Sequence, residues 1–258
     1  MFPYMTVTLP SFSVLAYSGG FIAILFVYFR LKKFNFKLID LILIILCGVT
    51  GLFIGSRLLY ILSRVPWLIA NYSAANLSKV VTRGGIVFYG GLFGFLFAVK
   101  ILSGLRNYDS ASVFKMIVPA IPLFHGFGRI GCFLGGCCFG EKLETPFEIG
   151  GLVFTRIPVQ LFESVFCFLL FPALLLVEKK YKESDTLRIY LLSYAVFRFV
   201  IELLRGDDLR GVYLLSTSQW ISLVIIGFYI TKWLRIRFSS RRKGIEENHE
   251  EDEKNAKD

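Results

Sequence analysis

Long apolar segments alternate with shorter polar connections along most of the 258-residue chain. A run of about 20 predominantly apolar residues is long enough to cross the hydrocarbon layer of a bilayer as a helix. By this criterion the sequence predicts an all-α fold, a polytopic integral membrane bundle of about seven transmembrane helices. The predicted spans are residues 11–30, 39–63, 84–104, 113–135, 157–178, 187–204 and 217–236.

The composition favours a membrane environment over a water-soluble protein. Hydrophobic residues make up 55% of the chain and aromatic residues 16%, which is more apolar surface than a soluble core of this size could bury. The net charge of +10 does not indicate nucleic acid, because the basic residues lie between apolar segments rather than along one polar face. Membrane lipids with anionic headgroups are the simpler partner.

The basic residues also predict how the chain is oriented. Lys and Arg are concentrated after the first, third, fifth and last predicted spans, and the alternate connections contain fewer of them. By the positive-inside rule, the basic connections face the cytoplasm, so the amino terminus is expected outside and the carboxyl terminus inside. The first span, which starts near Ser11, lacks the flanks of a cleaved signal and is expected to be a retained helix.

Two regions are predicted, a transmembrane domain over residues 1–243 and a tail over residues 244–258. The tail has almost no apolar residues and a dense run of Glu and Asp, which predicts a disordered acidic segment on the cytoplasmic side. The connections 64–83 and 141–156 are the external segments long enough for small interfacial structure.

Polar side chains inside the predicted spans are the candidates for function. An ionisable group at the centre of a span costs about 3 kcal/mol on insertion scales, so such groups indicate a functional site or internal pairing. One helix face carries a polar stripe, formed by residues at steps of four, four and three. The stripe is Tyr194, Arg198, Glu202 and Arg205, and other spans contribute Arg57, His125, Arg129, Gln160 and Glu163.

The stripe has two interpretations. The first is a buried ion pair between Arg198 and Glu202 that holds the bundle together. The second follows from the surplus of arginines near the outer ends of the spans, because guanidinium groups bind phosphate in a bidentate manner. This surplus favours a site for a phospholipid headgroup. The arginines are Arg57, Arg129, Arg198 and Arg205, against the acids Glu163 and Glu202.

Glycines surround Tyr89 in the segment TRGGIVFYGGLFG. Glycine allows the backbone to approach either a ligand or a neighbouring helix closely. Gly90 and Gly91 are therefore candidates for substrate binding, while a small-residue contact between helices explains the same spacing equally well.

Together these segments resemble the bacterial prolipoprotein diacylglyceryl transferase family. The similarity extends from about residue 17 to residue 219, and the order and spacing of its motifs are fairly specific. The matching segments are AYSGG, GSRLLY, FYGGLFG, GRIGCFLGG, IPVQLFES, YAVFRFVIELLRGDD and LSTSQW.

The resemblance implies a fold, a location and a reaction. The fold is a seven-helix bundle in the bacterial plasma (inner) membrane, with the amino terminus outside. The reaction transfers the diacylglyceryl group of phosphatidylglycerol to the lipobox cysteine thiol of a prolipoprotein signal peptide and releases glycerol phosphate. The resemblance implies no cofactor, no metal and no nucleic acid, and we expect a monomer.

The resemblance also assigns residues to the site. Arg129 and Arg198 would hold the phosphate and stabilise charge on the leaving group. Tyr17 matches the tyrosine of the family's first span, and Gly140 closes the signature that contains Arg129. The expected substrate-binding residues are Tyr17, Arg57, Gly90, Gly91, Gly140, Glu163, Tyr194, Glu202 and Arg205.

Some positions differ from the family pattern. The family usually has His where Tyr89 stands, Asn where Cys132 stands, Asn or Gln where Gly135 stands, and Glu near Cys137. We hypothesise that Tyr89, made more acidic by a neighbouring Arg, or His125, one turn before Arg129, takes over part of the role of that His. Tyr89 and His125 are therefore expected to be catalytic together with Arg129 and Arg198.

A second function class follows from the cysteines. Cys132, Cys137 and Cys138 are close in sequence and share their segment with His125, which allows inert packing, a structural disulfide, a catalytic thiol or a soft-metal site. The alternative function is therefore a transferase-like paralogue with a thiol-redox or metal-binding role. A third alternative is a phospholipid-binding membrane protein without catalysis.

Overall fold

The protein is described by a computed structural model. Its described residues are 4–5, 9–83, 85, 87–149, 152–181, 185–206, 211–212 and 215–255. The helices are α1 Ser11–Arg30, α2 Leu38–Ala70, α3 Ala74–Arg83, α4 Phe88–Leu105, α5 Ser110–Ile117, α6 Ala120–Leu134, α7 Val159–Lys180, α8 Thr186–Ile201 and α9 Thr217–Asn255. Three two-stranded antiparallel sheets pair β1 Tyr4–Met5 with β2 Leu9–Pro10, β3 Lys142–Ile149 with β4 Leu152–Arg156, and β5 Gly211–Val212 with β6 Leu215–Ser216.

Five helical segments in the described part of the chain are long and apolar enough to cross a membrane. They carry many exposed Leu, Ile and Phe side chains, as expected for surfaces that contact lipid. The chain is therefore an all-α polytopic membrane protein. The five are Ser11–Arg30, Leu38–Ala70, Phe88–Leu105, Ser110–Leu134 and Val159–Lys180.

The sixth and seventh predicted spans correspond to α8 and the first half of α9, which pack against each other. The α8 helix is only 16 residues long and contains Arg188 and Arg198. Its short length distinguishes it from the five apolar segments, since a simple lipid-facing span needs about 20 apolar residues.

The fourth predicted span consists of two helices rather than one. The α5 helix ends at Ile117 and α6 begins at Ala120, and Pro119 lies between them. A proline has no backbone N–H and its ring clashes with the preceding helical turn, so α5 cannot continue regularly through this position. Beyond the break, α6 packs against both α1 and α7.

The α2 and α4 helices touch backbone to backbone through glycines. A Cβ atom on Gly94 would lie 2.1 Å from the carbonyl oxygen of Gly51, and one on Gly90 would lie 2.4 Å from that of Gly55. Such small-residue contacts are typical of helix pairs in membranes. The structure thus places Gly90 in a helix contact, which is the second of the two interpretations of the glycine segment.

Both connections that the sequence predicts to be external contain small structural elements. Residues 64–83 include α3, and residues 141–156 include the β3–β4 hairpin. At the carboxyl end, α9 continues as helix to Asn255. Glu, the most frequent residue of the segment 244–255, is a good helix former, and no Pro interrupts this segment. The disorder of the tail is still a prediction. The domain boundary at residue 243 is still a prediction.

The substitution Gly94→Ala tests the α2–α4 contact. The new methyl group would overlap the backbone of α2, and we expect a loss of about 1–3 kcal/mol in the free energy of unfolding. The measurement is the thermal unfolding of the purified protein in detergent. Gly104→Ala is the matched control, because it lies on the same helix and nothing lies within 4 Å of its added Cβ. Equal stabilities of the two variants would contradict the contact.

Candidate active site

The predicted polar residues of three helices meet at one buried carboxylate, that of Glu163 on α7, whose side chain is 1% exposed. Its Oε1 atom accepts a hydrogen bond of 2.7 Å from the hydroxyl of Tyr194 on α8. Its Oε2 atom lies 2.9 Å from Nε of Arg129 on α6 and 3.5 Å from Nη1 of Arg198 on α8. Two arginines from different helices therefore share one counter-charge.

The cluster continues along the polar stripe beyond Glu163. The Nη2 atom of Arg198 forms an ion pair with Glu202, one turn further on, and Nε of Arg205 lies 3.9 Å from the same carboxylate. Three guanidinium groups and two carboxylates thus form one continuous network. The Nη1 atom of Arg198 is buried and makes no hydrogen bond with the described residues. The cluster therefore retains a buried donor for an anion.

His125 on α6 is oriented by contacts with three side chains, those of Phe88, Arg129 and Cys167. Its ring stacks on Phe88 at 4.1 Å between centroids. Its Nε2 atom accepts from Nε of Arg129 at 3.2 Å, so this nitrogen carries no proton and the neutral ring is protonated on Nδ1. The Nδ1 atom faces Sγ of Cys167 at 3.5 Å. We therefore assign His125 as a neutral partner of the Arg129 side chain.

The Tyr89 hydroxyl has a serine as its partner rather than an arginine. It lies 2.8 Å from Oγ of Ser222 on α9. Since Ser222 donates its own proton to the carbonyl of Ser218 at 2.8 Å, Tyr89 acts as the donor. The ring is 2% exposed and packs against Tyr194 at 5.9 Å. The hydrogen-bond partner of the Tyr89 hydroxyl is therefore a serine, and the acidity expected for Tyr89 is still a prediction.

Other predicted residues lie outside the cluster. Tyr17 is 78% exposed on α1, and Arg57 donates to the carbonyl of Val81 on α3. Gly91 packs against Leu52 of α2, as part of the glycine contact. The structure therefore does not bring these three predicted residues together with Glu163.

Gly140 borders the cluster through its backbone. It forms an isolated antiparallel bridge with Arg205, and its N–H donates to the carbonyl of Ile157 at 2.9 Å. A Cβ atom here would lie 2.7 Å from the carbonyl oxygen of Leu204. Only glycine, which has no Cβ atom, allows the backbone at this position to approach the end of the polar stripe this closely.

Two neighbours of the cluster, Cys167 and Ser222, were not predicted as site residues, and Gln160 was a candidate without an assigned role. Cys167 contacts His125, Ser222 binds Tyr89, and the side-chain amide of Gln160 donates to the carbonyl of Cys137 at 2.6 Å. Gln160 and Cys167 lie three and four residues from Glu163 on α7, so helical spacing was a signal for both. Ser222 lies on another helix, and no local pattern indicates its contact.

The cysteines at the end of α6 form a compact group. The Sγ atoms of Cys132, Cys137 and Cys138 lie within 4.8 Å of one another. All five cysteines are free thiols in the structure, which does not contain the structural disulfide that the sequence allowed. Hydrogen bonds from the thiols of Cys132 and Cys137, with the charge of Arg129 nearby, hold the pKa of Cys138 well below its usual range.

Comparison with known proteins adds independent information. A family model described as prolipoprotein diacylglyceryl transferase matches residues 1–235. The phosphatidylglycerol–prolipoprotein diacylglyceryl transferase of Clostridium tetani (strain Massachusetts / E88) is 34% identical over 221 residues, which cover 81% of this chain and 86% of that protein. The protein of the same name from Bordetella avium (strain 197N) is 30% identical over 240 residues, which cover 86% and 89%.

Proposed function

Because the chain belongs to the prolipoprotein diacylglyceryl transferase family, we propose that it transfers the diacylglyceryl group of phosphatidylglycerol to the lipobox cysteine thiol of prolipoproteins. Glycerol phosphate is the second product. The observation that best supports this function is the convergence of Arg129 and Arg198 on the buried carboxylate of Glu163. It provides a fixed positive site for a lipid phosphate inside an apolar bundle.

The charge that develops in this reaction suits the site. The sulfur of the acceptor thiol attacks the glyceryl carbon, a carbon–sulfur bond forms, and the bond from that carbon to the phosphate oxygen breaks. The electron pair stays on the departing phosphate, so negative charge grows there. Preorganised donors directed at growing charge are the largest single contribution in many enzymes. Arg129 and Arg198 are proposed to supply them.

A buried donor in the cluster is what favours phosphate binding. The Nη1 atom of Arg198, which makes no hydrogen bond with the described residues, is left for the phosphate. Glu163 keeps the guanidinium groups from moving apart by repulsion before the lipid arrives. Tyr194 fixes the carboxylate in turn through its hydrogen bond of 2.7 Å. The site is thus organised before substrate binds, which reduces the entropy cost of binding.

We propose that Tyr89 and His125 contribute by positioning other groups. The ring of Tyr89 supports that of Tyr194, and Nε2 of His125 fixes the Nε end of Arg129. Neither residue is needed to accept the thiol proton, since the departing phosphate can take it. Tyr17, Arg57, Gly91 and Gly140 are proposed to contact substrate from positions around the cluster.

We further propose seven spans in the bacterial plasma membrane, an external amino terminus, a cytoplasmic carboxyl terminus and a monomeric protein. Contacts between the basic connections support this topology. Arg30 donates to the carbonyl of Lys115 at 3.0 Å, and both Arg30 and Lys33 bind Glu178 at 2.6 Å. Connections after the first, third and fifth predicted spans therefore meet at one end of the bundle, where the positive-inside rule places the cytoplasm.

Reporter fusions test the orientation. Alkaline phosphatase is active only outside the plasma membrane, so a fusion to the carboxyl terminus should be inactive and a fusion within the β3–β4 hairpin should be active. A fluorescent protein that folds only in the cytoplasm should give the reverse pattern. Phosphatase activity at the carboxyl terminus together with fluorescence at the hairpin would contradict the proposed topology.

The transfer reaction is tested with radiolabelled phosphatidylglycerol and a lipobox peptide. Arg129→Lys keeps the charge but loses the planar set of donors, so we expect the rate to fall by about 10²–10³. Arg106→Lys is the matched control, because Arg106 is exposed and binds Tyr108 away from the cluster. If the wild type bound phosphatidylglycerol but formed no thioether product, a non-catalytic lipid-binding protein would replace the proposed enzyme.

The positioning roles are tested in the same assay. Tyr89→Phe removes one hydrogen bond, worth about 1 kcal/mol, and should reduce the rate by no more than about tenfold. His125→Ala should cost more, whereas His125→Gln should recover activity because its amide oxygen can accept from Arg129. A general-base role predicts instead that His125→Ala and His125→Gln are equally inactive. Full activity in the Tyr89→Phe, His125→Ala double variant would show that neither residue contributes to the reaction.

A further inference from the structure

The three thiols at the end of α6 form a second group of chemically active side chains, beside the arginine cluster. We propose that Cys132, Cys137 and Cys138 bind one soft metal ion with a filled d shell, such as Zn²⁺, Cd²⁺ or Cu⁺. The proposal rests on the convergence of the three sulfur atoms, on the hydrogen bonds that fix the loop carrying them, and on access from solvent.

The sulfur positions fit a single ion. All three Sγ atoms lie within 4.8 Å of one another. With a metal–sulfur bond of about 2.3 Å, the sulfur atoms of a three-thiolate site lie about 4 Å apart. Shifts of less than about 1 Å in the side chains would therefore complete the site. A disulfide would bring two sulfur atoms to about 2.05 Å and would leave the third thiol without a role. One ion, in contrast, binds all three sulfur atoms.

Backbone contacts hold the loop in this shape. The N–H of Cys137 donates to the carbonyl of Cys132 at 3.0 Å, which folds the chain back on the last turn of α6. The amide of Gln160 on α7 donates to the carbonyl of Cys137 at 2.6 Å. Cys138 adopts a φ of 61°, in the left-handed region that non-glycine residues rarely occupy. The Cys138 conformation is therefore maintained by its surroundings, and the thiols converge without a disulfide.

An ion can reach the thiols, and the nearby charges favour it. Cys137 is exposed, Cys138 is half-buried and Cys132 is buried, so the three thiols extend from the protein surface into its interior. On binding, each cysteine that still carries a proton loses it to water, three metal–sulfur bonds form, and no oxidation state changes. The resulting complex carries negative charge, which the guanidinium groups of Arg129 and Arg205 stabilise at Cys138.

Cadmium titration of the purified full-length protein in detergent tests the site. After reduction and removal of the reductant, we expect the ultraviolet absorbance of cadmium–thiolate bonds to saturate at one Cd²⁺ per chain. Cys132→Ser, Cys137→Ser and Cys138→Ser should each weaken binding at least about tenfold, or about 1.4 kcal/mol. Cys47→Ser is the matched control and should bind as the wild type does, since Cys47 lies on α2, away from the group.

A second measurement uses the wild type alone, so that a misfolded variant cannot decide the outcome. Saturating Cd²⁺ should protect the exposed Cys137 from alkylation by a maleimide. Unchanged alkylation, or equal loss of cadmium binding in Cys47→Ser and in the three site variants, would overturn the proposal. Formation of a disulfide between two of the three thiols in the presence of Cd²⁺ would also overturn it. Because no lipid or acceptor peptide is present, these outcomes are independent of the proposed transfer reaction.

Discussion

The buried carboxylate of Glu163 is the interaction on which the site depends. It lies between helices α6, α7 and α8 and faces two guanidinium groups and one tyrosine hydroxyl. A buried carboxylate without partners is very costly, and removing one partner of a buried ion pair typically costs about 3–5 kcal/mol. The three helices are thereby held in one arrangement, and Arg129 and Arg198 are held at a distance that their mutual repulsion would otherwise increase.

The rest of the bundle supports this arrangement from outside. The glycine contact brings α4 against α2, and α4 in turn carries Phe88 and Tyr89, whose rings pack on His125 and Tyr194. The α9 helix contributes Ser222, which fixes the Tyr89 hydroxyl. An apolar, lipid-facing exterior surrounds a polar interior in which arginines and carboxylates meet. This distribution is suited to a reaction in which a lipid phosphate departs from inside the membrane.

Sequence patterns predicted the features that arise from local spacing. The boundaries of α1 match the first predicted span, and the polar stripe on α8 lies on one face because its residues recur at helical spacing. The break between α5 and α6 at Pro119 was not predicted, since proline inside an apolar run is also compatible with a kinked helix. The contacts of Tyr89 with Ser222 and of His125 with Cys167 join distant parts of the chain, which periodicity cannot indicate. The surplus of arginine was predicted. That Arg129 and Arg198 share the carboxylate of Glu163 was not predicted, because this contact depends on how the helices pack.

The phosphate site formed by Arg129, Arg198 and Glu163 is tested most directly by the thermal stability of the protein in two lipids that differ in headgroup charge. A ligand that binds only the folded state raises the melting temperature, to an extent that depends on its concentration relative to Kd. We predict that anionic phosphatidylglycerol stabilises the wild type more than zwitterionic phosphatidylcholine does, and that Arg198→Lys abolishes most of this difference. Equal stabilisation by both lipids in the wild type would show that the two arginines and Glu163 do not form a phosphate site.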